Sequence, residues 1–276
     1  WQHVSKSYFN EQILKKVTHI WYSHEHPDHF SVKDLIDFKN EYKINPIILF
    51  QKTKDRRLKN FCNKLGFKVN EIAHWSNYNL SKNFTLTNVR AGRIDSLHII
   101  KVFDKYIVNL NDCVLDQNDL LTIKKSVPCV DILFTQFSYA SWIGNKEDQN
   151  LRVNAIKEKE YNIKLQLEIL KPKNVIPYAS FIYFSNEDNY FMNDKIADIS
   201  QIANLIDTHG SKSIILYPGS VWNIENDFYE SLNNIKKYKD DFKRISNLEL
   251  IKPKKIPLTE IENSGEKYFE KIKKKK

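Results

Sequence analysis

The segment His24-Glu25-His26-Pro27-Asp28-His29 constrains this chain more than any other feature of its sequence. It follows directly on a hydrophobic run, and it brings three imidazoles and the carboxylate of Asp28 within six residues. Neutral imidazole nitrogens and carboxylate oxygens are good ligands for first-row divalent metals. The alternative is a surface loop that is rich in histidine without binding metal, but four such side chains seldom cluster in this order by chance. The segment therefore predicts a metal site.

The position of the segment also predicts where the site lies. A strand that ends at this point delivers its ligands to the edge of a sheet, where an open coordination position can face solvent and substrate. Alternating spacing directs His24 and His26 to one side of the loop. After the turn at Pro27, Asp28 and His29 can reach a second metal a few ångströms away. One or two metals are therefore expected.

Short β-branched and aromatic runs alternate along the chain with segments of helical periodicity. The predicted strands are Val17–Ser23, Pro46–Phe50, Phe84–Val89, Leu97–Phe103, Tyr106–Leu110, Val130–Phe134, Asn174–Tyr178 and Ser213–Tyr217. The predicted helices are Val32–Tyr42, with Ser31 at its start, Asp55–Leu65 and Leu151–Leu170. Glycines at segment ends, where a turn or a helix stop is expected, are Gly66, Gly92, Gly210 and Gly219.

The clearest antiparallel signal is a hairpin around Asp104-Lys105. Antiparallel strands combined with helices that must cover sheet faces predict a layered α/β fold (α+β layered). From about Trp222 onward the pattern becomes helical, polar and rich in lysine. We therefore expect a main domain over residues 1–222 and a helical, Lys-rich C-terminal extension over residues 223–276.

The net charge of +9 raises the question of a nucleic-acid partner. Much of the excess lies in the C-terminal stretch, including the run from Lys273 to Lys276, and a solvated Lys-rich helix and tail explain it. Basic residues do not alternate with aromatic residues in the way that single-strand binders require. The charge equally suits a small anionic substrate. We expect such a substrate and no nucleic acid, while the oligomeric state cannot be read from the sequence.

Compartment and disulfide content follow from simple counts. The three cysteines (Cys62, Cys113 and Cys129) are too few and too scattered for a disulfide framework or a Cys-rich zinc module. The sequence has neither an apolar run long enough to span a membrane nor the pattern of a signal peptide at its start. We therefore expect a cytoplasmic protein with no membrane partner.

The H-x-H-x-D-H string resembles the signature of the metallo-β-lactamase superfamily. This resemblance implies an αββα sandwich, with one or two metals at the sheet edges and hydrolysis by a metal-bound hydroxide. The superfamily has an earlier motif, an aspartate that ends a strand, which is not seen here. The resemblance therefore implies that the N-terminal strands of the sandwich precede Trp1.

Two further segments are similar to the CMP-N-acetylneuraminate hydroxylase family. In one of them, running from Ile94 to Cys113, an Asp-Ser pair and an Asp-Cys pair stand at the family's spacing. The other runs from Pro177 to Tyr190. The likeness covers about residues 1 to 222. The iron–sulfur Rieske domain of that family needs paired Cys-His motifs, which this sequence does not supply.

The superfamily resemblance implies a role for each candidate residue. His24 and His26 would hold the first metal, Asp28 and His29 the second, and Asp112 would bridge them, although Asp112 can also be read as a polar residue that ends a strand. Asp95 would occupy the place of a third histidine. Two imidazoles and one carboxylate suit zinc, which we expect, and also iron or manganese.

His98 competes with Asp95 for the third position, but its apolar surroundings favour a histidine that is satisfied within a strand. Asn186 stands where the hydroxylase family has its last histidine ligand, and an amide oxygen is a poorer ligand than imidazole. Glu187, Asp188 or His209 are the substitutes available. His209 precedes Gly210 at a predicted helix end, which favours an interaction with helix carbonyls.

These observations favour a metal-dependent hydrolase that acts on a small anionic or sugar-nucleotide substrate, with Asp28 as a proton acceptor. A function in surface polysaccharide synthesis follows from the family resemblance alone. Two alternatives stay open: an iron-dependent oxygenase component for an N-acyl sugar nucleotide with a separate electron donor, and a non-catalytic sugar-nucleotide binder. The segment from Gln136 to Asn145 is interpreted either as a loop that lines the site or as an ordinary connection.

Overall fold

A computed structural model describes residues 1–8, 10–226 and 229–274 of the chain. The strands are β1 (Gln2–His3), β2 (His19–Trp21), β3 (Ile47–Gln51), β4 (Val69–Ile72), β5 (Ser76–Ser81), β6 (Phe84–Ala91), β7 (Asp95–Val102), β8 (Lys105–Asn109), β9 (Ile132–Gln136), β10 (Asn174–Tyr178), β11 (Ile182–Tyr183) and β12 (Lys212–Ser213). The α-helices are α1 (Glu11–Leu14), α2 (Val32–Tyr42), α3 (Arg57–Lys64), α4 (Gln117–Ser126), α5 (Gln149–Leu170), α6 (Ile199–Thr208), α7 (Ser231–Arg244) and α8 (Leu258–Lys273). Two 3₁₀ helices span Tyr190–Lys195 and Ile245–Asn247.

Two sheets form the centre of the molecule. The larger has seven strands in the order β12-β10-β9-β8-β7-β6-β5, and the smaller has three strands in the order β2-β3-β4. Strands β5 to β8 are antiparallel neighbours, while β8, β9, β10 and β12 are parallel. The small sheet is parallel throughout. A two-stranded pairing of β1 with β11 lies apart from both sheets.

The hydrophobic contacts arrange these elements in four layers. Leu49 and Ile72 of the small sheet pack against Leu86 of the large sheet, so the two sheets face each other. Helices α2 and α3 cover the outer face of the small sheet. Helices α4, α5 and α6 cover the outer face of the large sheet and form the main core with it. The two sheets and helices α2 to α6 therefore bury apolar faces against neighbouring layers, and the predicted layered α/β fold, an αββα sandwich, is confirmed.

Strand β7 shows how the sequence produces this arrangement. Successive side chains of a strand point to opposite faces, so Leu97 and Ile99 enter the main helix-covered core while Ile100 packs on the side of the small sheet. Its hairpin with β8 pairs Val102 with Lys105, and the predicted turn at Asp104-Lys105 is confirmed. Both faces of this strand are covered, which explains its nearly continuous apolar sequence.

Several predicted boundaries agree with the structure. Helix α2 has the predicted limits, and the Ser31 side chain accepts a hydrogen bond from the Asp34 backbone at 3.2 Å as its N-cap. Gly210 follows the end of α6 with a φ of 81°, a conformation that glycine adopts without steric cost.

The strand predicted over Ser213–Tyr217 is wrong for most of its length. Pairing ends at Ser213 in β12, after which the Ile215 backbone donates to the Ser231 side chain at 3.1 Å. Because this backbone amide is bonded to a side chain of α7, it is not available for pairing with β10, and the strand does not continue along the edge of the sheet.

The C-terminal part contains two helices with different surroundings. Helix α7 contributes Ile235 and Tyr238 to the main core, and Tyr238 stacks on Phe181 with ring centroids 3.7 Å apart. Helix α8 buries none of its residues. The division at residue 222 stays a prediction, and Asp227, Phe228, Lys275 and Lys276 lie outside the described residues. Among the described helices, none combines the length and the apolar character needed to cross a membrane.

Candidate metal centre

The predicted ligands are positioned by three strand ends at one edge of the sandwich. The His24–His29 loop follows β2 of the small sheet, Asp95 begins β7, and Asp112 lies shortly after β8. Because β7 and β8 are antiparallel, the start of one and the end of the other lie at the same edge of the large sheet. Face-to-face packing of the two sheets brings the loop after β2 to that edge.

A tight turn folds the histidine loop back on itself. The backbone amides of His29 and Phe30 both donate to the His26 carbonyl, at 2.9 and 2.7 Å. This turn brings the His29 ring to 4.2 Å from the His24 ring, measured between centroids. The Ser23 hydroxyl lies within hydrogen-bonding distance of both rings, 3.0 Å from His24 Nδ1 and 3.2 Å from His29 Nδ1. The loop therefore orients two imidazoles towards one point.

Hydrogen bonds to the Asn109 side chain stabilise the turn that carries Asp112. Asn111 adopts a left-handed backbone conformation with a φ of 57°, which asparagine tolerates better than most residues. The backbone amide of Asn111 donates to the side-chain oxygen of Asn109 at 3.1 Å, and the Tyr178 hydroxyl donates to the same oxygen at 2.7 Å. These contacts fix the direction in which the Asp112 carboxylate leaves the sheet edge.

All six predicted ligands come together at this edge. Asp112 faces both histidines, with Oδ1 3.8 Å from His24 Nδ1 and Oδ2 3.4 Å from His29 Nε2. Asp95 Oδ1 lies 3.4 Å from His24 Nδ1. Asp28 Oδ2 lies 3.6 Å from His29 Nε2. The exposed His26 packs edge-on against His24, with centroids 4.5 Å apart. Ligand atoms of His24, His29 and Asp112 lie within 4.8 Å of one another, which is close enough for them to share in one metal centre.

The pKa shifts of His24 and Asp112 suit a cation, whereas those of His29 and Asp95 favour the protonated forms, which a bound metal would have to displace. Burial lowers the pKa of His24, which favours the neutral imidazole that metals bind. Burial alone would raise the pKa of Asp112, but the contact and charge of His29 outweigh it, and the pKa of Asp112 falls below its usual range. Burial alone would lower the pKa of His29, but the contact with the Asp112 carboxylate and its charge outweigh burial and raise this pKa. Burial raises the pKa of Asp95. The Asp112 carboxylate is therefore ionised and attracts positive charge.

Two buried atoms of the cluster have no partner within the described residues. These are Nε2 of His24 and Oδ1 of Asp112, and neither receives or makes a hydrogen bond. A buried polar atom without a partner costs about 1–3 kcal/mol. A divalent cation held by imidazole nitrogen and carboxylate oxygen would satisfy atoms of this kind, so the residues present fit a metal.

The competing candidates lie elsewhere. His98 is buried between the sheets, stacked on Trp21 at 3.9 Å between ring centroids, and burial lowers its pKa to about 3. Asn186 donates through its backbone to Asn189 and bridges to Ile251, and no contact joins it to the six candidates within the described part of the chain. His209 caps α6, with Nδ1 2.8 Å from the Leu205 carbonyl, so its interpretation as a helix-terminal residue is confirmed.

A buried clamp joins the metal-binding segments, and sequence reasoning missed it. The Ser96 hydroxyl, next to Asp95, donates to the Ser23 carbonyl at 2.8 Å. The side-chain amide of Gln51, at the end of β3, donates to the carbonyls of Ser23 and Ile94. Ser23 precedes His24, and Ile94 precedes Asp95. The clamp therefore fixes the small sheet against the large sheet at the site, and a polar residue within an apolar strand was its only signal in the sequence.

The clamp leads to a first prediction. Ser96→Ala removes the donor and leaves the buried Ser23 carbonyl short of a partner. We expect zinc affinity, measured by competition with a chromophoric chelator, to fall about 10- to 100-fold, as for other changes behind metal ligands. Ser126→Ala is a matched control, because its hydroxyl also donates to a backbone carbonyl, at 2.7 Å, but within α4. Unchanged zinc affinity in Ser96→Ala would show that the clamp does not position the ligands.

Three cavities open around the cluster. The largest, about 820 Å³, includes Glu25 and His26 in its wall. A second, about 390 Å³, is lined by His26, Asp28 and Asp112 together with residues of the 136–145 segment, whose interpretation as a loop lining the site is thereby supported. The third, about 350 Å³, includes Asp28 and His29. Substrate can therefore approach the cluster from several directions.

Lys159 is a further site residue that the sequence did not reveal. It lies on α5 in the wall of the 390 Å³ cavity and donates to the Gln136 side chain at 2.5 Å. Burial lowers its pKa. In the sequence it is one of several charged residues of an amphipathic helix, and nothing distinguishes it from those that are solvated.

Comparison with known proteins gives similarity at the level of structure only. No protein-family model matches the chain, and no curated protein matches it in sequence. YhfI from Bacillus subtilis, a metallo-β-lactamase fold protein, is similar with a TM-score of 0.44 at 15% identity, over 76% of this chain and 78% of that one. Human tRNase Z, short form, gives a TM-score of 0.42 at 12% identity, over 59% of this chain and 72% of that one. Zn²⁺-bound PqqB from Methylobacterium extorquens gives a TM-score of 0.43 at 12% identity, over 72% of this chain and 68% of that one.

At these identities and TM-scores the similarity says nothing about the substrate or the reaction. The fold itself follows from the contacts described above, in which two facing sheets lie between layers of helices. This αββα layering is that of the metallo-β-lactamase fold, as the sequence predicted.

Proposed function

We propose that this chain is a metal-dependent hydrolase whose metal ligands are His24, His26, Asp28, His29, Asp95 and Asp112. One observation carries the proposal. Three separate segments converge on one sheet edge and leave buried, unpartnered ligand atoms of His24 and Asp112 there. Burying ligand atoms unpaired is costly, and a bound cation would remove that cost where imidazoles and carboxylates converge.

The arrangement supports a division of the ligands between two metals. Each carboxylate oxygen of Asp112 faces a different histidine, which suits a bridge between a site at His24 and a site at His29. Asp95 lies beside His24, and Asp28 lies beside His29. We therefore assign His24, His26 and Asp95 to the first metal, and Asp28 and His29 to the second. Asn186 makes no contact with the cluster among the described residues, which leaves the second metal with fewer protein ligands.

A bound divalent metal would lower the pKa of a coordinated water towards neutrality and so supply the nucleophile for hydrolysis. Asp28 is the most exposed of the three carboxylates, with a side-chain exposure of 37% against 29% for Asp95 and 24% for Asp112. Its carboxylate also lines two of the cavities. We assign it the role of proton acceptor, in addition to its place at the second metal.

The substrate that we propose is a small anionic molecule of the sugar-nucleotide type, handled in the cytoplasm during surface polysaccharide synthesis. The support is the similarity of residues 94–113 and 177–190 to the CMP-N-acetylneuraminate hydroxylase family. An iron-dependent oxygenase component is the second candidate, because Asp95 makes the first site a two-imidazole, one-carboxylate set that also suits iron.

Elemental analysis of the purified chain tests the proposal. We expect one or two zinc, iron or manganese atoms per chain, and we expect His24→Ala to lose them, because it removes the most buried ligand. His209→Ala is the control, since this histidine caps α6 and lies outside the cluster. Iron in the wild type, with oxygen uptake, would favour the oxygenase. A chain that binds none of the three metals after incubation would refute both enzymatic functions.

A further inference from the structure

The 820 Å³ cavity lies beside the metal cluster and has the size of a small-molecule site. It shares His26 with the cluster and includes Ile94, the residue before Asp95. Its volume lies within the range of small-molecule sites, about 300–1,000 Å³. The cavity is therefore large enough for a ligand of substrate size, and that ligand would reach the candidate metal ligands.

Cations dominate this wall. Six basic side chains contribute to it, against the two carboxylates of Glu25 and Asp55; the six are Lys52, Lys54, Arg56, Arg57, Arg90 and Arg93. The Glu25 carboxylate forms an ion pair with Arg57, with Oε2 of Glu25 2.5 Å from Nη2 of Arg57. Asp55 accepts hydrogen bonds from the Thr53 hydroxyl at 3.0 Å and the Arg57 amide at 3.3 Å. Both acidic groups of the wall are therefore already engaged.

Four of the six cations have no acidic partner. Within the described residues, Lys52, Lys54, Arg90 and Arg93 form no ion pair with a carboxylate. They come from two segments, one following β3 and one spanning the end of β6 and the turn to β7, which the facing sheets bring together. Like charges gathered around one cavity repel each other, and a bound anion would relieve that repulsion. Arginine in particular offers a planar fork of donors that matches phosphoryl oxygens.

A second observation points to a ligand in the same cavity. Gln51 is 2% exposed, and its side-chain oxygen is buried without a partner in the described part of the chain. This residue lines the cavity, while its amide nitrogen serves the clamp described above. An unpaired buried acceptor is satisfied by a ligand that brings a donor, such as a hydroxyl or amino group.

We propose that this cavity binds the phosphoryl groups of a small phosphorylated organic substrate, with Arg90 and Arg93 as the main anchors and Gln51 accepting from a hydroxyl or amino group of that substrate. This proposal rests on the proposed function, in which the substrate is turned over at the adjoining cluster. Among the described residues of the wall, the only Phe, Tyr or Trp is the buried Phe50, so the cavity lacks the series of exposed aromatic rings on which the bases of a single strand stack. A small molecule therefore suits it better than a nucleic acid.

The test is binding of pyrophosphate and of a nucleoside diphosphate by calorimetry, with the full chain as purified and again after chelation of metals. For Arg90→Gln/Arg93→Gln we expect both dissociation constants to rise about 30-fold, which is less than two buried charge-assisted hydrogen bonds would give because both arginines are exposed. Lys157→Gln/Lys164→Gln is the control, because it removes the same charge from exposed positions on α5 and should shift neither constant more than about twofold.

Each outcome decides something. Equal losses in both double variants, or no binding to the chelated wild type, would overturn the cavity as a phosphoryl site. Tighter binding of a short oligothymidylate than of the nucleoside diphosphate would overturn the small-molecule assignment in favour of nucleic acid. Elemental analysis of the same samples separates this proposal from the hydrolase. A chain that binds pyrophosphate but takes up no zinc, iron or manganese after incubation would keep the cavity and refute the enzyme. A chain that takes up metal but does not bind pyrophosphate after chelation would keep the enzyme and overturn the cavity.

Discussion

Asp112→Asn should reduce hydrolysis of a reporter phosphodiester, bis(para-nitrophenyl) phosphate, by about 10³-fold in kcat/KM. The amide keeps the shape of the side chain but loses the charge that faces both His24 and His29. A metal used as a Lewis acid contributes several kcal/mol to transition-state stabilisation, and each 1.4 kcal/mol is about tenfold in rate. The rate should be measured with zinc, manganese and iron in turn, each together with the metal content.

The control for this variant is Asp104→Asn. Asp104 has the same side chain, stands at the other end of the β7–β8 hairpin and is 80% exposed. We expect it to retain full activity and full metal content. If Asp112→Asn kept its activity at normal metal content, Asp112 would not bridge the metals, and its interpretation as a polar residue that ends a strand would gain support.

Arg152→Met should lower the free energy of unfolding by about 2–3 kcal/mol, less than the loss from a fully buried ion pair, because the Asp194 carboxylate is 29% exposed. The Arg152 side chain is fully buried on α5 and donates to both carboxylate oxygens of Asp194, at 2.8 and 3.1 Å. It also donates to the carbonyls of Asn145 and Lys146 at 2.6 and 3.0 Å. Methionine fills much of the volume but leaves these acceptors without donors. Urea unfolding followed by circular dichroism measures the loss.

Lys157→Met provides the comparison on the same helix, because Lys157 is exposed and its replacement should change stability by less than about 0.5 kcal/mol. Arg152 also fixes the end of the 136–145 segment, which lines the 390 Å³ cavity. We therefore expect Arg152→Met to raise KM as well as to destabilise the chain. A stability loss equal to that of Lys157→Met would contradict the role assigned to this buried guanidinium.

The metal loop could be predicted from the sequence because its ligands lie within six residues of the chain. His24, His26, Asp28 and His29 need only one turn to converge, and the sequence contains that turn at Pro27. Asp95 and Asp112 are distant in the sequence, and they were found through a family resemblance rather than through spacing. The structure brings both to the loop, although their assignment as metal ligands stays a prediction.

Other elements escaped prediction for identifiable physical reasons. Strand β5 reads Ser-Asn-Tyr-Asn-Leu-Ser, with residues of low strand propensity at the exposed positions of an edge strand. Only Tyr78 and Leu80 face the neighbouring sheet, so its alternation rests on two apolar residues. Cavity walls are harder still. Arg90 and Arg93 look like ordinary surface charges until the sheets place them beside Lys52 and Lys54, and a net charge summed along the chain hides that grouping.

The two-sheet origin of the cluster has a consequence for the lifetime of the folded chain. His24 belongs to the small sheet and Asp112 to the large sheet, so a cation held by both cross-links elements that are far apart in sequence. Such a cross-link exists only after the sheets have docked, and it must be released before they can separate. Ligand linkage adds about 4 kcal/mol of stability when the free metal stands at a thousand times its dissociation constant. Metal supply would then set how long each molecule survives proteolysis, and a cell short of the metal would clear the chain faster.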